Sequence, residues 1–387
     1  MSDLILRNEP LGRPWPGTDP FLFCMHHLDH YPAATAEQGV DMRQLGGREL
    51  GQDFSGKDGW SMYHGVTVPG FPAHPHRGFE TVTMVPQGLV DHADSLGATA
   101  RYGDGDVQWL TTGRGVQHSE MFPLRERGQP NPLDLYQIWL NLPPRNKMTD
   151  PEFVMLWGEQ IPWYRHEGAA VKVVAGRYQP QESAQAAIVP LAPARNSWAA
   201  NPDADVAIWQ ILLQPGATLT LPAATGTGTR RTLYVHGGQQ LEVDGSPVAS
   251  PRLLEVAADA TLPLHNTGTE QVRILLLQGV PIGEPVAAYG PFVMNTAGEI
   301  EQARRDYGRT QFGGWPWPSY GPVHPAGQGR FARYPGSDTI EGWVALRLDG
   351  NPWRIVCPTA MEGTPLPQLR REWRADGQPH VTLSLPG

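Results

Sequence analysis

Four residues in two short stretches combine ligand chemistry with regular spacing. HPHRGFETVTMVPQG (His74–Gly88) carries His74 and His76, and GDVQWLTTGRGVQHSEM (Gly105–Met121) carries His118 and Glu120. Residues two apart on a strand point to the same face, so each pair converges wherever its stretch is extended. Two such pairs on facing strands inside a barrel set three imidazoles and one carboxylate around a single point. Three neutral nitrogens and one anionic oxygen suit a divalent first-row metal and leave two positions of an octahedral shell open. The same residues also read as two polar strand faces lining a barrel mouth, and a His-x-His pair alone is weak evidence.

The remaining candidates are less regular. Cys24, His26, His27 and His30 crowd together in CMHHLDH, but neighbouring spacings scatter them over both faces, which fits a polar strand-to-loop segment. His92, His166, His236 and His265 each stand alone and read as satisfied surface or core histidines. Arg77, beside His76, either stabilises anionic charge or is a surface salt-bridge residue.

The elements that must position these groups read as strands. The 387 residues include 44 Gly and 39 Pro, spread between short β-rich runs, and this points to an all-β sandwich or barrel rather than α/β. ETVTMV (Glu80–Val85), DVQWL (Asp106–Leu110) and LYQIWLNL (Leu135–Leu142) are bounded by Gly, Pro or Asp. A turn-rich connection spans Gln179 to Asp205, and strands resume at Val206–Leu213, Thr218–Leu221, Thr232–Val235, Gln240–Val243, Leu253–Val256 and Val272–Leu277. RTLYVHGGQQLEVDG (Arg231–Gly245) occupies the place of ETVTMVPQGLVDHAD (Glu80–Asp94), so the halves read as repeats of one module. The spacing predicts one helix over 296–307, with Thr296 and Glu299 as a capping box and Gly308 as its stop. Gly313–Gly336 is too rich in Pro and Gly to be regular, and Ser337–Gly387 holds apolar runs for three strands. The expected units are 1–180 as a metal-binding barrel, 205–312 as a second barrel, and 313–387 as a tail and extension of unassigned role.

A formal charge of −9 argues against direct nucleic-acid binding, and two cysteines exclude a disulfide-dense scaffold. No signal-peptide pattern and no run of membrane-spanning length occurs, so the expected compartment is the cytoplasm.

Four stretches resemble the pirin family of bicupins: HPHRGFETVT from His74, Asp94–Met121, the WLNLP-x-x-x-KM run (Trp139–Met148), and GPFVMNT (Gly290–Thr296). The resemblance runs from about Asp19 to Phe331 and implies two stacked cupin barrels of the double-stranded β-helix, or jelly-roll, type, followed by a short helix. It implies Fe(II), or another divalent first-row metal, in the N-terminal barrel, with His74, His76, His118 and Glu120 as ligands. Glu80 is the rival carboxylate, because H-x-H-x-x-x-E is the wider cupin pattern and Glu80 lies an even number of residues from both histidines, but the pirin resemblance implies Glu120 as the ligand and leaves Glu80 a structural carboxylate or one that supports the ligands from outside. The second half has ATGTGTRR (Ala224–Arg231) where the first has HPHRGFE, which leaves no histidine pair for a metal.

The resemblance further implies a quercetin 2,3-dioxygenase-type reaction, in which a flavonol and O2 meet at the metal and carbon monoxide is released. The flavonol's hydroxyl must lose a proton, and Glu120 is the carboxylate placed to take it. The other expectation from the family is a non-enzymatic, redox-sensing regulator whose protein partner is a transcription factor or a metabolic enzyme.

Overall fold

Alternating runs separated by glycine turns pair antiparallel and close into two barrels. The computed structural model describes residues 2–336 and, beyond them, the backbone of Ile340–Leu348, Asn351–Cys357, Gln368–Trp373 and Pro379–Ser384. In the first barrel one sheet runs in the order Glu152–Leu156, Val107–Thr111, Phe79–Gln87, Asn131–Asn141, Phe21–Tyr31 and Trp15–Pro16. The facing sheet holds Thr99–Gly103, Leu89–Asp94, Val116–Met121 and Gly70–His76. The second barrel has a large sheet containing Arg252–Val256, Arg230–Gly237, Val272–Gly279 and Ala207–Leu213, and a small one ordered Thr218–Leu221, Leu262–His265, Gln240–Val243, Ser246–Ala249.

The repeat is visible in the pairing. Gly70–His76 pairs with Val116–Met121 as Thr218–Leu221 pairs with Leu262–His265. Phe79–Gln87 lies between Val107–Thr111 and Asn131–Asn141 as Arg230–Gly237 lies between Arg252–Val256 and Val272–Gly279. One placement from the sequence needs correction. The counterpart of the HPH strand is Thr218–Leu221, and ATGTGT falls in the loop after it, where the first barrel has only the Arg77–Gly78 turn. Leu219, Leu221, Leu262 and Leu264 of that second strand pair are buried in the apolar core of the second barrel.

The sheets also cross the expected boundaries. Ile5–Pro10 pairs with Arg252–Val256, and Trp163–His166 and Ala169–Ala175 extend the large sheet of the second barrel, although all three lie within 1–180. Arg330–Arg333, in the stretch expected to be irregular, pairs with Thr99–Gly103 and so widens the ligand-bearing sheet of the first barrel. Ile340–Leu348 and Asn351–Cys357 continue from it, and the described residues of the last fifty form four strands where three were expected.

Period-two alternation on Asn131–Asn141 decides what each side chain meets. Tyr136, Ile138 and Leu140 point at Val206, Ile208, Leu275 and Leu277 of the second barrel, forming an apolar contact between the barrels. Each such buried side chain contributes roughly 1.5–3 kcal/mol. Leu135 enters the first barrel's core instead, on the parity shared with Gln137 and Trp139. The helix spans Ala297–Thr310, with Thr296 and Glu299 forming the capping box. It runs through Gly308 and ends at Gln311, whose φ of 49° supplies the left-handed stop, because an exposed glycine costs a helix only about 1 kcal/mol. No helix among the described residues is long and apolar enough to cross a membrane.

Candidate metal centre

The HPH strand and the HSE strand lie side by side with His74 opposite His118. A register shift between Phe71 and His74 accompanies this alignment. The imidazole centroids are 4.7 Å apart for His74 and His76, 4.5 Å for His74 and His118, and 4.9 Å for His76 and His118. One nitrogen from each ring lies within 4.8 Å of the others, a spacing at which a single ion can be held.

The hydrogen bonding is as telling as the spacing. His74 uses Nδ1 toward the Pro72 carbonyl at 2.8 Å, which leaves Nε2 as the free nitrogen. His76 and His118 are buried, and neither ring nitrogen of either has a hydrogen-bond partner. Four orphaned polar atoms in one place are costly, since an unsatisfied buried group loses about 1–3 kcal/mol. A metal ion that takes a lone pair from each ring removes much of that penalty. Burial holds His76 and His118 well below the usual imidazole range and brings His74 down to about 4, so the neutral, ligating form is favoured.

Glu120 sits at the edge of this group, its Oε2 3.8 Å from His118 Nε2. Thr83 donates to Oε1 at 3.1 Å and Gln137 to Oε2 at 2.6 Å, both from the facing sheet. Burial pushes the Glu120 carboxyl up, while His92, Gln137, Thr83 and Tyr102 act to lower it. Glu80 does not join. The chain turns at Gly78 into the other sheet, so parity counted from His74 is lost, and Glu80 faces the second barrel. There it accepts from Trp109 at 3.1 Å, Thr111 at 2.6 Å and Ser197 at 2.5 Å.

Arg77 is neither a surface residue nor a group at the triad. It is buried, donates to the Arg114 carbonyl at 2.6 Å, and pairs with Asp306 of the helix at 2.9 Å. The CMHHLDH residues scatter as expected: Cys24 joins the contact between the barrels, His26 bonds Asp134 at 2.8 Å, His27 lies against Tyr63, and His30 is exposed.

His92 is the satisfied core histidine expected, but it also lies beside the triad, and Gln137 and Trp139 were not among the candidates. His92 is buried with its ring centroid 5.6 Å from His118, receives Gln108 Nε2 at 3.1 Å on Nδ1, and faces Asp94 at 3.3 Å. Gln137 breaks the apolar run LYQIWLNL, and that single polar residue on the inward parity is the signal that could have found it. Trp139, two residues on, packs on His76 at 5.3 Å, on Phe79 at 4.0 Å and on Phe23 at 4.3 Å, building an aromatic wall beside the triad.

Known proteins place the chain in a family. Residues 18–140 match the family model described as Pirin, and residues 208–313 match that of the Pirin C-terminal cupin domain. A Pseudomonas aeruginosa protein named "Putative quercetin 2,3-dioxygenase" is 37% identical over 246 residues, covering 62% of this chain and 79% of that protein. The chain belongs to the pirin family. A pirin-like protein of Solanum lycopersicum is 34% identical over 62% of this chain and 75% of its own length. Among solved structures, a quercetin 2,3-dioxygenase from Acinetobacter baumannii superposes with a TM-score of 0.58 at 26% identity, covering 80% of this chain and 98% of that one.

Stretches that carry the pirin resemblance meet at one turn. Val293 of GPFVMNT donates to the Arg77 carbonyl, and Arg77 N–H donates to the Pro291 carbonyl, so the second half of the chain clamps the HPHRG turn. Gly78 has φ of 88°, and an added Cβ would sit 2.0 Å from the Val293 oxygen. Lys147 of the KM run closes the clamp, donating to the Gly78 carbonyl at 2.8 Å, Asn141 Oδ1 at 2.7 Å and the Val293 carbonyl at 3.1 Å. Burial brings its ammonium down to about 8. Lys147→Met removes three donors and leaves three buried acceptors unpaired, so it should cost about 2–4 kcal/mol in urea unfolding. An unchanged midpoint would remove the clamp from this account.

Proposed function

We propose that this pirin is a mononuclear iron dioxygenase that opens flavonols such as quercetin with O2 and releases carbon monoxide, its metal held by His74, His76, His118 and Glu120. The observation that carries the reading is the set of facing imidazoles whose buried nitrogens have no partner, beside an aromatic wall. The names of its relatives support the reaction class. Ferrous iron, when bound, supplies Lewis acidity and an electron path between a chelating substrate and O2. Nickel, zinc or another divalent first-row ion suits the same donors, and loading experiments decide between them.

The protein's own groups do the rest. Trp139, half-buried and flanked by Phe79 and Phe23, forms a rigid apolar wall beside the triad against which an aromatic substrate can pack. His74 is half-buried while His76 and His118 are buried, so a substrate approaches from the His74 side. Glu120 takes the proton of the flavonol 3-hydroxyl on a carboxylate oxygen, and Gln137 and Thr83 keep that carboxylate aimed. The chain loaded anaerobically with Fe(II), then given quercetin and O2, should consume the two in equal amounts and release an equal amount of carbon monoxide. Iron bound at full occupancy without quercetin consumption would favour the redox-sensing regulator instead.

A further inference from the structure

Among the described residues the buried arginines pair with carboxylates, with one exception. Arg48 pairs with Asp53 at 2.8 Å, Arg101 with Asp91 at 2.7 Å, and Arg330 with Asp106 at 2.5 Å. Arg231 of the second barrel is 1% exposed, and its partners are neutral: Gln278 Oε1 accepts from Nε at 2.7 Å and the Pro222 carbonyl from Nη2 at 2.9 Å. Its Nη1 is buried without a partner. Of five guanidinium donors, then, both on Nη1 and one on Nη2 remain unused. Asp205 is the acidic group that acts on Arg231, but its carboxylate already accepts from Thr225, Gly226 and Thr229 at 2.9–3.1 Å. Burial brings Arg231 down to about 10, which still leaves it a cation at neutral pH.

Arg231 also lines a cavity of about 340 Å³, bounded by Gly226, Gly228 and Thr229 of the ATGTGT loop and by Ala258. This loop replaces the Arg77–Gly78 turn of the first barrel. We propose that the cavity binds a small organic monocarboxylate, held end-on by the Nη1 and Nη2 donors of Arg231. The free donors match the two oxygens of a carboxylate, a bidentate fit that a halide cannot make. The cavity exceeds what a halide fills, and Asp259 on its lining opposes anions of higher charge, while Glu255 there is paired with Arg7 and Arg230 at 3.4 Å.

Acetate and benzoate, titrated into the full chain in chloride-free buffer at constant ionic strength, test this by calorimetry and by the Arg231 side-chain NMR signal. Saturable binding that shifts the signal is expected, with bromide at least about tenfold weaker. Arg231→Met, which keeps the volume and removes the charge, should abolish binding, and Arg231→Lys, which keeps the charge and loses the fork, should weaken it about tenfold. If Arg231→Met does not fold, the Lys variant and the NMR shift in the unaltered chain decide. Absence of saturable binding by the unaltered chain, bromide binding as tightly as acetate, or unchanged affinity in a folded variant would each overturn the proposal.

Discussion

His118→Ala should empty the metal centre and leave both barrels folded. His118 is fully buried, opposite His74 in the register, and both its ring nitrogens lack hydrogen-bond partners. Losing one of three imidazoles that share a point removes a ligand that nothing nearby can replace, since His92 is committed to Gln108 and Asp94. The apoprotein should hardly notice. The cavity left by the ring costs stability, but removing two orphaned polar atoms offsets it, so the net change should stay within about 1–2 kcal/mol. The contrast is therefore between a large loss of bound metal and a small change in unfolding. Metal content read beside circular dichroism gives both numbers, and the thermal stabilisation that divalent metal confers on the unaltered chain should vanish in the variant. His30→Ala and His265→Ala are the controls, since His30 is exposed and His265 ends a strand of the second barrel's small sheet, far from the triad in the other barrel. Full occupancy in His118→Ala would end the assignment of this site.

That site was legible because its chemistry is local. His74, His76, His118 and Glu120 sit at i, i+2 spacing on two strands, and parity on one strand is a property the sequence states directly. Glu80 is the structural carboxylate expected, and the parity that made it a rival does not carry across a turn. Glu80 is an even count from His76, yet Gly78 takes the chain into the opposing sheet, and the count restarts there. A similar limit hid the nearness of His92 to the triad. Its side chain meets His118 through the pairing of Leu89–Asp94 with Val116–Met121, a register that no local pattern announces. Arg77 lay hidden because its partner, Asp306, is 229 residues away on the helix. Boundaries failed for a related reason. Ile5–Pro10 and Ala169–Ala175 look like strands of whichever module they adjoin in sequence, and only the open edges of the large sheet decide where they pair. The helix was read from its capping box, which is local, and its end was misplaced because the left-handed stop fell on Gln311 rather than on the glycine.

The comparison of Glu120→Gln with Glu80→Gln separates the two carboxylates that the sequence offered. Glu120→Gln keeps the shape but removes the anion beside the three imidazoles. It also sets an amide against two groups, Thr83 and Gln137, that both donate to the carboxylate, so one of them loses its acceptor. Affinity for Fe(II) should fall by more than about 100-fold, beyond the roughly 10–100-fold expected of a partner outside the ligand set. Glu80→Gln should leave Fe(II) affinity unchanged, because Glu80 is spent on Trp109, Thr111 and Ser197 on the other face of its sheet. Its effect appears in stability. Burial pushes the Glu80 carboxyl up to about 7 from an ordinary 4.5. A folded-state value above the unfolded one stabilises fully below about pH 4.5 and is lost as pH rises through about 7. The slope this creates amounts to about 3 kcal/mol over that window, and a neutral glutamine, able to serve the same three partners, should flatten it. Anaerobic Fe(II) titration and urea unfolding at pH 5 and pH 8, run on both variants (the pH values bracketing about 7), measure the two effects separately. Loss of iron in Glu80→Gln with retention in Glu120→Gln would place the anionic ligand on the wrong sheet and overturn the centre as drawn here.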